Sequence, residues 1–483
     1  MLRMRRVEQA ILLSMANLLM PSKVLLAQNP EPAFDLVIEG ARVIDPESHF
    51  DGIRNVGISG GTVVRITEKP LHGKASIQAQ GLVAAPGFID LHSHGQNEEN
   101  DRARVLDGVT SAFDLELGVT QVMLWYDNQK GKRFVNYGVS VGVASLVSPA
   151  RISPEEAGTT RASSSSASNL AQKIDQGLRE GAVGVGVHLG RAPNLSDVEL
   201  LEAFKGAAAY RASLYLHMRN VGNELPATAI SSLDQAIGLA AMTGAVLTVG
   251  HVCSNTIALT AEALFRIRLA QSRSIGVFGD CHPYQVAAGE IADAEFEPGW
   301  QKRLGIGYAD LSRIEDGSRL DQRTFDTLRR SGKGRVLLNY IPEAAILAAL
   351  KDPETMVISD GLLINGRGHP RSSGAFARVL GHYVRDRGVI DLSGAIRKMT
   401  LLPARLLEMR LPQMRTRGRL REGMTADITL FDPAKIADRA TWIMPKIPSE
   451  GIKAVIVNGT IVALDGRIVA RSRPGLPMQA DVR

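Results

Sequence analysis

Short apolar runs of strand length open the chain: Phe34-Asp35-Leu36-Val37-Ile38, then Ala41 to Ile44, Arg54 to Ile58 and Thr62 to Ile66, each bounded by turn residues. The far end answers in kind, with Ala426 to Phe431, Ile452 to Val457, an Asn458-Gly459 turn and Thr460 to Val462. The two ends are therefore predicted to build one small β-sandwich from residues 28–84 and 416–475, with 476–483 as a tail.

Between them the pattern changes to apolar β runs alternating with amphipathic stretches. Strands are predicted at Leu82 to Leu91, Thr110 to Leu115, Val139 to Val147, Ala182 to Val187, Ser213 to Leu216, Ala245 to Val249, Ser274 to Phe278 and Met356 to Ser359. Helices fall between several of them: Asn169 to Glu180 after a Ser-rich loop (Ser163 to Ser166), a helix opened by a Ser196/Glu199 capping box, one ending at Met242, and Leu259 to Gln271. Parallel strands with helical crossovers, and no Gly-rich dinucleotide fingerprint, point to an α/β fold of the (β/α)8 barrel type over residues 85–415. An oversized connection, 284–355, with helices near Asp321 to Arg330 and Pro342 to Leu350, is expected to cover the active-site face.

Composition changes this picture little. Among 483 residues, 45% are hydrophobic and 22% charged, which excludes a disordered chain or a multispanning membrane protein. Of the net charge of +6, half comes from Arg3, Arg5, Arg6, Lys23 and Glu8, and no basic stripe marks a nucleic-acid binder. The basic cluster precedes an apolar segment from Ala10 to Met20, and Ala27 supplies a small residue for cleavage. Residues 1–27 thus read as an export signal whose removal leaves a periplasmic or secreted protein without a stable membrane span. Cys253 and Cys281 are too few for a disulfide scaffold; they follow neighbouring strands, which allows one disulfide between them, and two unpaired thiols near the site are the preferred reading.

Chemistry enters where the strands end. In Gly87-Phe88-Ile89-Asp90-Leu91-His92-Ser93-His94 two histidines one residue apart share a strand face and can reach one ion. His217, His251 and Asp360 each terminate a different apolar strand, at the face where such barrels carry their sites. Asp114 and Glu116 lie on one side of the second strand, with Glu116 better placed to ligate or bridge metal. Imidazoles and carboxylates in this arrangement predict one or two Zn2+ held by His92, His94, Glu116, His217, His251 and Asp360, with Asp360 also the general base. His188, His282, His369 and His382 are read as residues behind the ligands or in loops.

With these residues in place the chain resembles the amidohydrolase superfamily, and within it the D-aminoacylase, or N-acyl-D-amino-acid deacylase, group. Further matching stretches are Leu216-His217-Met218-Arg219, Ser359-Asp360-Gly361, His369-Pro370-Arg371, Arg378 to Arg385, Lys398-Met399-Thr400 and Ala426-Asp427. The resemblance implies zinc-dependent hydrolysis of the amide of a small N-acyl-D-amino acid. It assigns Tyr284 and Arg371 to the substrate carboxylate, and Arg219 and Arg191 are weaker candidates for an acidic substrate side chain. Departures are specific: Glu116 stands where relatives have a metal-bridging cysteine, Cys253 where they have a lysine, and His282-Pro283-Tyr284 where they have Tyr-Pro-Tyr. A cyclic amide or D-dipeptide would use the same chemistry, and an exported binding protein on an inactive barrel is the non-enzymatic alternative.

Overall fold

The computed structural model describes residues 34–147, 164–222, 224, 228–471 and 473–482. The expected export segment, 1–27, lies outside them.

Both chain ends enter one continuous nine-stranded sheet. Phe34–Asp45, Phe50–Ser59 and Thr62–Thr67 run antiparallel from the N-terminal side, and Ile428–Phe431, Ile452–Val457 and Thr460–Leu464 from the C-terminal side. The join is Val83–Pro86, parallel to the first strand and antiparallel to Ile428–Phe431. The sheet wraps a core of Leu36, Ile38, Val56, Val63, Ile428 and Ile456, and Val63 and Ala426 close the far edge through backbone bonds to Met424 and Gly61.

The apolar run Leu82 to Leu91, read as one strand, is two. Gly87 divides it: a Cβ there would sit 2.2 Å from the Thr110 side chain, so only glycine lets the chain pass between sheet and barrel. Beyond it, Phe88–Asp90 is the first barrel strand, followed by Val109–Val119, Asn136–Gly142, Gly184–His188, Ser213–His217, Val246–Val249, Val277–Cys281 and Met356–Val357. All eight are parallel and hydrogen-bonded in chain order. The ring closes just past the last strand, where Asp360 N–H donates to His92 O at 2.8 Å and His94 N–H to Gly361 O at 3.0 Å. Closure itself thus brings Asp360 beside the His92/His94 pair.

Alternation along the strands separates two cores. Ile89, Leu91, Phe113, Leu115, Tyr215 and Met356 fill the barrel, whose floor is closed by Leu402, Leu407, Leu411, Met414 and Met478. Phe88, Val185, Leu214 and Leu247 face outward to the helices. The predicted capping box at Ser196 and Glu199 forms. The helix after the third strand begins at Ser164, so part of the predicted Ser-rich loop is helical.

The long connection after the seventh strand carries a small sheet of its own that the sequence did not signal, Val286–Glu290, Arg335–Asn339 and Leu311–Arg313. With Phe296, Trp300 and Phe325 it forms a separate apolar cluster. Helix Glu343–Lys351, expected inside this insert, instead buries Ala345, Ile346, Ala349 and Leu350 in the barrel's outer core.

Candidate metal centre and active site

The second strand bulges where it reaches the site. Asp114 pairs with Val139 and Val119 with Val141, so extra residues bow out between them and carry Glu116 toward the barrel axis. Asp114 Oδ1 caps the bow by accepting from the backbone N–H of Leu117 and Gly118, both at 3.3 Å. Opposite, Gly186 lets the fourth strand approach closely; a Cβ there would meet Glu116 O at 2.4 Å.

Glu116 is buried and divides its two oxygens between two pairs of histidines. Oε2 lies 3.1 Å from His92 Nε2 and 3.6 Å from His94 Nε2, while Oε1 lies 3.2 Å from His217 Nδ1 and 3.0 Å from His251 Nε2. Asp360 Oδ1 completes the first pair, 3.4 Å from His94 Nε2 and 3.8 Å from His92 Nε2. All six residues expected as ligands therefore meet in one cluster. Ligands about 2.1 Å from a tetrahedral ion lie about 3.4 Å from one another, so these spacings fit Zn2+. Both ring nitrogens of His92 are buried without a hydrogen-bond partner among the described residues, as a donor set for a cation would leave them. Glu116, which offers one oxygen to each pair, would be the residue common to both donor sets if two ions were held.

Behind three of the histidines stands a second polar group. His94 Nδ1 is 3.4 Å from Asp114 Oδ1, His217 Nε2 2.9 Å from Glu295 Oε1, and His251 Nδ1 2.8 Å from Ser254 Oγ. Such partners select the tautomer that presents the other nitrogen inward. Arg104, buried in the first barrel helix (Glu98–Val105), grips the motif itself, donating to the carbonyls of His94 and Gly95. His188 stacks on His217 with ring centroids 3.9 Å apart. Its Nδ1 accepts the Arg191 N–H, and with Glu116 and His217 it makes a further group of three side chains close enough together to hold a cation.

Charge is arranged accordingly. Burial pushes the Glu116 carboxyl up, but His92, His188, His217 and His251 more than reverse this and hold it well below the usual carboxylate range. Burial acts the same way on Asp360, and Arg371, with His94, His92 and His251, holds it well below too. Burial would lower His217, yet its bonds to Glu116 and Glu295 raise it to about 10. His251 and Asp360 both have positive φ, 29° and 50°, strained backbone concentrated at the site.

The residues expected to hold substrate divide. Arg371 is buried beside the ligands, with Nη2 2.8 Å from Asp360 Oδ2 and with Nε and Nη1 unpartnered among the described residues. Tyr284 is turned away: its hydroxyl donates to Asp438 at 3.1 Å and its ring lies under the Arg378 guanidinium. Tyr340, from the insert, lines the pocket instead. Arg219 is spent on the carbonyls of Pro193 and Leu195 and faces a neighbouring groove, whereas Arg191 lines the site and pairs with Asp293 at 3.6 Å.

Sequence reasoning missed Glu295, Asp280, Ser254 and Tyr340. Asp280 carried a signal, being a polar strand end like the others, but the strand was predicted to stop at Phe278 and runs on to Cys281. Glu295 sits in a single 3-10 turn of the insert, Ala294–Phe296, and carried none. The two cysteines, read as free, form a disulfide that joins the segment after the sixth strand to the end of the seventh. The pairing that neighbouring strand ends allow, ranked second to free thiols in the sequence, is the one that forms.

An eight-stranded parallel barrel with a terminal sheet thus gathers histidines and carboxylates at its strand ends in groups able to hold a metal ion. A family model described as "Amidohydrolase family" matches residues 328–463. The chain is 26% identical to the D-aminoacylase of Alcaligenes xylosoxydans xylosoxydans, over 92% of this chain and 100% of that protein. It is 27% identical to the N-acyl-D-glutamate deacylase of the same organism, over 89% and 93%. In fold it is similar to the Bordetella bronchiseptica N-acyl-D-glutamate deacylase, solved with zinc and a phosphonate mimic of the tetrahedral intermediate. That similarity has a TM-score of 0.80 at 24% identity, covering 93% of this chain and 100% of that one. The resemblance read from the motifs thus extends over nearly the whole chain.

Proposed function

We propose that this protein is a zinc-dependent deacylase that hydrolyses the amide of N-acyl-D-amino acids, releasing a D-amino acid and a carboxylate. The observation that carries this reading is the Glu116 carboxylate shared between His92/His94 and His217/His251, with Asp360 and Arg371 at its edge.

Zinc, when bound by these six residues, supplies the Lewis acidity that polarises an amide carbonyl and acidifies water toward a pKa of about 7. Asp360, held ionised by Arg371, takes the proton from the attacking water and delivers it to the departing amine. Arg371 lines the pocket with Nη2 on Asp360, so a substrate carboxylate held by its guanidinium lies beside Asp360. Tyr340 and the Val286–Glu290 strand wall the pocket against water.

Export supports itself on a different stretch, the arginines at 3, 5 and 6 followed by Ala10 to Met20, and implies a periplasmic or secreted enzyme. Among the described residues, no helix is long and apolar enough to cross a membrane.

The test is a panel of N-acetyl-D-amino acids, with the L-isomers as controls, on zinc-loaded protein. Turnover of D-substrates alone is expected; turnover of the L series alone would overturn the assignment.

A further inference from the structure

Of the histidines that meet Glu116 in the cluster, His217 and His251 each have a hydrogen-bonded outward partner and His94 Nδ1 faces Asp114 Oδ1 at 3.4 Å; the outward nitrogen of His92 has no polar atom so near. What faces its Nδ1 is Asp280 Oδ2, at 3.9 Å. Both side chains are fully buried, and neither atom has any other partner among the described residues. A buried carboxylate oxygen and a buried imidazole nitrogen, each unpaired and each facing the other, are complementary only if the proton lies on Nδ1, because a carboxylate accepts and cannot donate. That leaves the lone pair on Nε2, the atom 3.1 Å from Glu116 Oε2.

The other oxygen of Asp280 acts on a second ligand. Oδ1 accepts the backbone N–H of His251 at 2.5 Å, at the residue where φ turns positive to swing that imidazole inward. Asp280 touches neither Glu116 nor Asp360 through any hydrogen bond or ion pair among the described residues, so its influence on the site runs through these two histidines.

We propose that Asp280 is the positioning residue for His92 and His251 together, one oxygen setting the His92 tautomer that binds zinc and the other holding the His251 backbone in its ligating turn. This rests on the reading of both histidines as zinc ligands. The discriminating variant is Asp280→Asn, which keeps an oxygen for the His251 N–H but turns an amide donor toward His92 and so favours the proton on Nε2.

Zinc affinity is measured by competition with a chromophoric chelator on wild-type and variant protein, with thermal unfolding of the zinc-free forms as the control for folding. At least a tenfold loss of affinity in the variant, with unfolding temperature little changed, is expected. Equal affinities would overturn the role of Asp280 while leaving the metal site intact; a wild type that takes up no zinc would overturn the site and this inference with it. Should the variant fail to fold, zinc-loaded wild-type protein carrying 15N-labelled histidine decides: the His92 proton is expected on Nδ1, and finding it on Nε2 overturns the proposal.

Discussion

Arg371 Nη2 lies 2.8 Å from Asp360 Oδ2, so the group that would anchor the substrate's carboxylate is bound to the group that would carry the proton. Binding and chemistry are thereby coupled through one guanidinium. Replacing Arg371 by Met should raise KM for N-acetyl-D-amino acids by about tenfold or more, since the fork for the carboxylate is lost. It should also move the pH profile. Asp360 works as a base only when ionised, and Arg371 is the foremost group lowering its pKa. Without it the pKa rises, and the acid limb of kcat/KM shifts to higher pH. A profile unmoved on the acid side would separate Arg371 from Asp360.

Asp360→Asn tests the proton carrier directly. The amide cannot accept the water's proton, and turnover should fall by about 10²- to 10⁴-fold. Zinc content, measured by atomic absorption, should survive in large part, because His92, His94, Glu116, His217 and His251 remain. Near-normal turnover in this variant would remove Asp360 from the chemistry.

Metal uptake should release protons. His217 is raised to about 10, and His92 well above its ordinary value, in both cases by neighbouring carboxylates that outweigh burial. Near neutral pH the ion-free site therefore holds protons that zinc must displace, since only neutral imidazole ligates. Apparent zinc affinity is expected to climb as pH rises toward 9 and to fall as pH drops. Calorimetry in buffers of different ionisation enthalpy checks this, and proton-neutral uptake at pH 7 would contradict it. Stripping zinc with a chelator should abolish hydrolysis, and readdition should restore it.

The barrel and the histidines and carboxylates that meet at its mouth were legible because both are written in local pattern. An apolar strand ending in a histidine or aspartate is visible without knowing its neighbours, and the barrel brings all such ends to one face. Glu116 was readable for the same reason, although the bulge that swings it inward was not. What failed were contacts set by the insert and by exact strand ends. Tyr284 matches a family position, yet in space its hydroxyl goes to Asp438 and Tyr340 lines the pocket in its place. Arg219 follows His217 closely in sequence but is drawn off by two carbonyls of the preceding loop. Asp280 was lost to a strand boundary misplaced by three residues.

The Cys253–Cys281 bridge ties together the same two segments that Asp280 joins through the His251 backbone, one residue from Cys281 and two from Cys253. It spans 28 positions in sequence, and closing a loop of that size restricts the unfolded chain by about 3.5 kcal/mol. Both sulfurs are buried, at 1% and 3% residue exposure, so reductant reaches them only when the barrel opens. Protein purified without reductant should show no thiol reactive toward Ellman's reagent, whether native or unfolded in guanidinium. The Cys253→Ala/Cys281→Ala variant should unfold at lower denaturant concentration than the oxidised wild type. Because the bridge also restrains the turn that presents His251, the variant should bind zinc more weakly, while KM at saturating zinc stays close to wild type. Two reactive thiols per chain in the unfolded, unreduced protein would mean the bridge does not form, and the His251 turn would then be held by hydrogen bonds, those of Asp280 and Ser254 among them.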